Sequence, residues 1–184
     1  MKLNKLQKKI GISFKDIKLL TQALTHKSFD TKNNYEKLEF LGDRVLGLMI
    51  AEKLLEKYPN EKEGVIDKKF SNLVNKKTCS LIAKKIDLKK FIYLGTSHRK
   101  FDKSSAKINS DCLEAIVGAI YLDGGLKPAE KFIYHFWEEY LLKSNITLID
   151  PKTKLQEFSL KKFKVLPMYF FSKKTGPQHS PLFK

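Results

Sequence analysis

The chain has 184 residues, 42% hydrophobic and 11% aromatic, which suits one folded soluble domain with a small appendage. Its 36 basic residues against 20 acidic give a net charge of +16, an excess that draws polyanions, either nucleic acid or an anionic membrane surface. The longest apolar runs, VLGLMIA and AIVGAIYL, fall well short of the ~20 residues of a membrane span, and the N-terminal MKLNKLQKKIGISF lacks a signal-peptide core, so membrane insertion is not expected and the cytoplasm is the default location.

Apolar residues recur at helical spacing through most of the first 143 positions, which predicts an all-helical first domain. Helices are expected over 3–10, 15–24, 34–57, 65–74, 76–86, 104–123 and 127–143, separated by YPNEKEG, YLGTSHRK and LDGGLKP. The pattern changes after Lys143. SNITLIDP reads as a linker and PKTKLQEFSLKKF as a helix with Pro151 near its first position. MYFFSKK has the aromatic density of a strand, and TGPQHSP reads as a loop. A segment of roughly 35 residues does not normally bury a core of its own.

Within the third predicted helix, NYEKLEFLGDRVLGLM places Glu36, Glu39 and Asp43 at i, i+3 and i+7 on one stripe, leading into an apolar run. Later, SDCLEAIVGAIYLDGG repeats the arrangement with Asp111 and Glu114 at i, i+3. Gly42, Gly47, Ala115, Gly118 and Ala119 are small enough to let two helices approach and bring the acids face to face. Four carboxylates around one point suit a hard divalent cation such as magnesium. Any one of these acids taken alone is more often a solvated surface residue; two paired sets on buried helices are harder to dismiss. A di-iron bundle would need Glu-x-x-His pairs, which the sequence lacks here.

Almost all the positive charge is lysine, with Arg44 and Arg99 the two arginines, which favours contact with phosphates over reading of base edges. Cys79 and Cys112 have no metal or disulfide spacing and are expected as reduced core residues.

NYEKLEFLGDRVLG closely resembles the ribonuclease III signature, and DCLEAIVGAIYLDGG resembles that family's second acidic motif. The resemblance extends to LTHKSF, to LVNKKT, and to PKTKLQEF and GPQHSP, which are similar to elements of a double-stranded RNA-binding domain. It implies an all-α endonuclease domain over residues 1–145 and the N-terminal half of an α+β RNA-binding domain over 150–184. It implies hydrolysis of double-stranded RNA with magnesium, manganese substituting, by a homodimer that leaves 5′-phosphate products with short 3′ overhangs in rRNA, mRNA and tRNA precursors. By motif, Glu39, Asp43, Asp111 and Glu114 would hold metal, with Asp43 and Glu114 catalytic and Glu36 and Glu63 in supporting acidic positions. Phe40 matches the aromatic that enters a pocket of the partner subunit. Thr153, Gln156, Glu157 and His179 match positions that touch the minor groove.

Two departures stand out. KINS precedes Asp111 where the family shows an apolar run, and the RNA-binding segment stops after one helix, one strand and a loop. The competing readings are a catalytically inactive RNA-binding or ribosome-associated relative, and a basic helical protein that binds metal only for structure. The filled acidic positions argue against the first, and the RNA-binding remnant against the second.

Overall fold

The computed structural model describes residues 2–95, 105–144, 151–170, 174–175 and 182–183. The chain divides into two compact units, Met1–Thr147 and Leu148–Lys184.

In the first unit, α1 (Lys2–Ile10) buries Leu6 and Ile10, spaced i, i+4, and ends at Gly11, whose φ of 67° few other residues adopt. Helix α2 (Ile17–Ala23) begins two residues later than expected because Asp16 caps it, accepting from the Lys18 amide. Asp123 in turn accepts from the Lys15 and Asp16 amides at 2.9 and 2.7 Å.

Helix α3 (Glu36–Lys57) starts where Asn34 Oδ1 accepts from the Glu36 amide at 3.0 Å. It buries Leu38, Gly42, Val45, Leu46, Met49, Ile50 and Leu54 along a length of about 33 Å. Helix α4 (Glu63–Val74) begins two residues before the expected start, with Glu63 favourably placed in the first turn of the helix dipole. Asn75, extended between helices, separates it from α5 (Lys76–Lys85) and caps the latter by accepting from the Thr78 amide. A 3-10 turn at Leu88–Lys90, absent from the sequence expectation, follows Asp87 at φ 56°.

Helix α6 (Ser105–Gly124) is the centre of the unit: its residues 112, 113, 115, 116, 117, 119 and 120 are all buried. Helices α2, α3, α5 and α7 (Leu126–Lys143) pack against it, α3 most extensively. Trp137 of α7 is fully buried and donates Nε1–H to the Leu73 carbonyl at 2.9 Å, joining α7 to the end of α4. Cys79 and Cys112 are free and buried, as expected.

The second unit contains α8 (Pro151–Phe163), which ends at Lys164 with φ 60° and with the Ser159 hydroxyl donating to the Val165 carbonyl at 2.7 Å. Residues 168–170 of the expected strand are not in one. The pairing lies further on and has two segments, β1 (Lys174–Thr175) and β2 (Leu182–Phe183), antiparallel with Lys174 opposite Phe183. Aromatic density marked the neighbourhood of a strand but not its hydrogen-bonding partner. Among the described residues, no helix is long and apolar enough to cross a membrane.

Candidate active site

Helices α3 and α6 touch backbone to backbone. A Cβ built on Gly42 would stand 1.7 Å from the Glu114 carbonyl oxygen, and one built on Gly118 would stand 2.3 Å from that of Leu38. Only hydrogen fits at either place. Gly47, expected to share this role, instead faces α4, where a Cβ built on it would stand 3.5 Å from the Phe70 ring. It lies five residues beyond Gly42, which carries it about 140° round the helix.

The close approach brings the acids of α3 within electrostatic range of those of α6. Glu114 is pushed up to about 7, first by burial, then by Asp43, Asp111 and Glu39, while a hydrogen bond from Ser110 opposes the rise. Burial also raises Glu39, with Asp111 next in effect, and raises Asp111, which is 6% exposed. Lys107 and Lys76 act in the opposite sense on both Glu39 and Asp111, and Lys27 does so on Asp111. Among the described residues, Glu39, Asp111 and Glu114 have no lysine or arginine at ion-pair distance.

The remaining acids are arranged differently. Asp43 is exposed and turned toward Arg44, whose guanidinium donates to it at 3.0 Å. Glu36 is exposed and paired with Lys27 at 2.9 Å. Glu63 is exposed at the start of α4 and is not among the charges acting most strongly on Glu39, Asp111 or Glu114. Among the described residues no three acidic, histidine or cysteine side chains are grouped tightly enough to hold a metal ion as they stand. Repulsion between carboxylates and the Arg44 contact of Asp43 account for the spread.

The donor set nevertheless fits a hard divalent cation. Partly buried carboxylates are unfavourable when ionised, the more so at Glu39 and Glu114 where neighbouring acids add to the effect of burial, and oxygen-rich sites of this kind suit magnesium. The glycine contact holds the two helix backbones at close approach beneath these acids.

Several contributors escaped the sequence reading. Lys107 stands one turn before Asp111, an i, i+4 relation visible in the sequence. Lys27 and Lys76 come from other segments and carried no such signal; Cys79 was expected only as a reduced core residue, and Ser110 only as part of the KINS stretch before Asp111.

Phe40 is 63% exposed beside these acids, with the Arg44 guanidinium stacked on its ring at 3.9 Å. Leu48 and Leu55, also exposed, continue the same face of α3. In the second unit, Thr153 and Gln156 are half-buried and Glu157 is exposed on α8. His179 lies outside the described residues.

Residues 16–141 match the family model for ribonuclease-III-like domains. The chain is 60% identical to ribonuclease 3 of Pelagibacter ubique, over all of this chain and 84% of that protein. It is 41% identical to ribonuclease 3 of Brucella canis, over 97% of this chain and 74% of the relative. Its fold is similar to the nuclease domain of ribonuclease III from Campylobacter jejuni, in which a region involved in dimer formation shows structural flexibility. There the TM-score is 0.71 at 39% identity, covering 74% of this chain and 96% of that one.

Proposed function

From the premise that the chain belongs to the ribonuclease III family and is an endoribonuclease, we propose that it cleaves double-stranded RNA with magnesium at the junction of α3 and α6. The observation that carries this reading is the Gly42–Gly118 contact, which sets Glu39 and Asp43 against Asp111 and Glu114. These four residues would hold the metal, and manganese, which accepts the same oxygen donors, would substitute. When bound, the cation polarises the phosphodiester and lowers the pKa of a bound water.

The protein's own groups do the rest. Lys27, Lys76 and Lys107 draw the phosphate backbone to the acids, and Lys27 holds Glu36 at the rim. To hold a cation, Asp43 would have to turn from Arg44 toward the other carboxylates, and Glu114 would bind as the ionised carboxylate. Glu36 and Glu63 support the site from its edges. Lysine-rich surfaces bind a duplex by its backbone and shape, which makes recognition tolerant of sequence.

The exposed stripe of Phe40, Leu48 and Leu55 supports a homodimer, Phe40 entering a pocket of the second subunit. Two sites then act on opposite strands and leave 5′ phosphates with short 3′ overhangs. Residues 150–184 serve as part of a double-stranded RNA-binding domain, in which Thr153, Gln156, Glu157 and His179 would touch the minor groove. The processing of rRNA, mRNA and tRNA precursors in the cytoplasm fits such an enzyme.

Incubating the protein with a long RNA duplex, with and without magnesium, tests the core of the proposal. Defined magnesium-dependent fragments with 5′ phosphates are expected. An intact duplex that is nonetheless bound would point to the inactive relative instead.

A further inference from the structure

Two side chains with no solvent exposure stand against Glu114: Ser110, one turn earlier on α6, and Cys79 of α5. The Ser110 hydroxyl donates to Glu114 Oε1 at 3.3 Å, longer than a relaxed hydroxyl–carboxylate bond. Cys79 Sγ donates to the Val74 carbonyl at 3.9 Å, and its thiol lies within the electrostatic reach of the Glu114 carboxylate and the Ser110 hydroxyl. Burial pushes this thiol up to about 12, so near neutral pH it is an uncharged S–H group.

Both side chains are fully buried, where a hydroxyl or thiol costs free energy unless it is hydrogen-bonded. A serine within a helix also tends to bond back to the carbonyl one turn before it, whereas this one is spent on the carboxylate one turn ahead. Glu114 is the most strongly perturbed of the site acids, and it is the one provided with a buried donor.

We propose that Ser110, backed by Cys79, is a positioning residue that holds the Glu114 carboxylate in the orientation that receives the metal. This rests on the reading of Glu114 as a magnesium ligand. Partners of this kind orient metal ligands, and their loss typically weakens metal affinity about 10- to 100-fold.

The test is calorimetric titration of magnesium into the intact chain without RNA, on wild type, Ser110→Ala, Cys79→Ala, Cys79→Ser and Glu114→Gln, each checked by circular dichroism. Ser110→Ala should bind magnesium about 10-fold more weakly. Cys79→Ala should show a smaller loss, restored in Cys79→Ser, which keeps a donor of similar size. In duplex cleavage, Ser110→Ala should shift the magnesium concentration for half-maximal rate upward by the same factor, with most of the rate regained at saturation. A folded Ser110→Ala protein that binds magnesium within twofold of wild type overturns the positioning role while leaving the metal site standing. If wild type takes up no more magnesium than Glu114→Gln, the metal reading itself fails and this proposal with it.

Discussion

Helices α6 and α8 both carry apolar residues at helical spacing, yet they meet different surroundings. Along α6, Cys112, Leu113, Ile116, Val117 and Ile120 are almost wholly enclosed by α2, α3, α5 and α7. Along α8, Leu155, Phe158, Leu160 and Phe163 stay 45–58% exposed, and Met168 and Phe170 beyond it reach 80% and 81%. An amphipathic pattern specifies a helix with a face to bury, but the stabilisation comes only from the partners that cover it. The acids of the site therefore sit in the region that can hold them rigidly, and the second unit contributes charge: eight lysines against Asp150 and Glu157, a net +6.

The sharpest test of that division is Glu114→Gln. It removes a charge at the centre of the rigid unit without changing volume, and cleavage should fall by about 10³-fold or more with duplex binding retained. Near-normal cleavage would show that the α3–α6 acids are not the reaction centre. Gly42→Ala should come next, since its Cβ meets backbone and the helices must part; a loss of about 3 kcal/mol or more is expected in chemical denaturation. Gly64→Ala, which meets nothing within 4 Å, serves as its control and should be neutral or slightly stabilising.

Truncating one apolar side chain in each unit compares them directly. Leu46→Ala should cost about 3 kcal/mol and Phe158→Ala less than about 0.5 kcal/mol, and comparable losses would mean that α8 is as well packed as the core.

The acids proposed to hold the metal should weaken the metal-free fold. Glu114 has an ordinary value of 4.5 and is raised by folding to about 7, so the folded state is penalised as pH climbs between these values. Glu114→Gln should then stabilise the metal-free protein at pH 8 by roughly 2 kcal/mol, allowing for partial exposure, and by almost nothing near pH 4. Magnesium should raise the melting temperature of wild type more than that of the variant.

The smallest effect on catalysis is expected from deleting residues 148–184. Duplex affinity should drop and the slope of log affinity against log salt should flatten by about 2 to 4, while cleavage at low salt persists. Loss of cleavage at low salt would give the second unit a role beyond attraction.

Much of this was legible in the sequence because helix geometry is local. The i, i+3 spacing of Glu36 with Glu39 and of Asp111 with Glu114, the small residues one turn from each pair, and the lysine excess all follow from position along the chain. The helices of the first unit agree with the expectation to within about two residues; the later starts of α2 and α3 arise where Asp16 and Asn34 cap or turn the backbone.

Contacts between distant segments followed a different rule. Which α3 glycine met α6 depended on the rotation of one packed helix against another, and it was Gly42 at the Glu114 carbonyl while Gly47 went to Phe70. The arrival of Lys27 and Lys76 beside the acids and the approach of Cys79 to Glu114 likewise depend on how separate segments come together, whereas the Asp43–Arg44 and Ser110–Glu114 pairs are local to one helix. Sequence alone determined which residues could share a helix face and how much charge they carried. Tertiary structure decided which faces met, because only when side chains from separate helices compete for one enclosed volume does a single arrangement exclude the others.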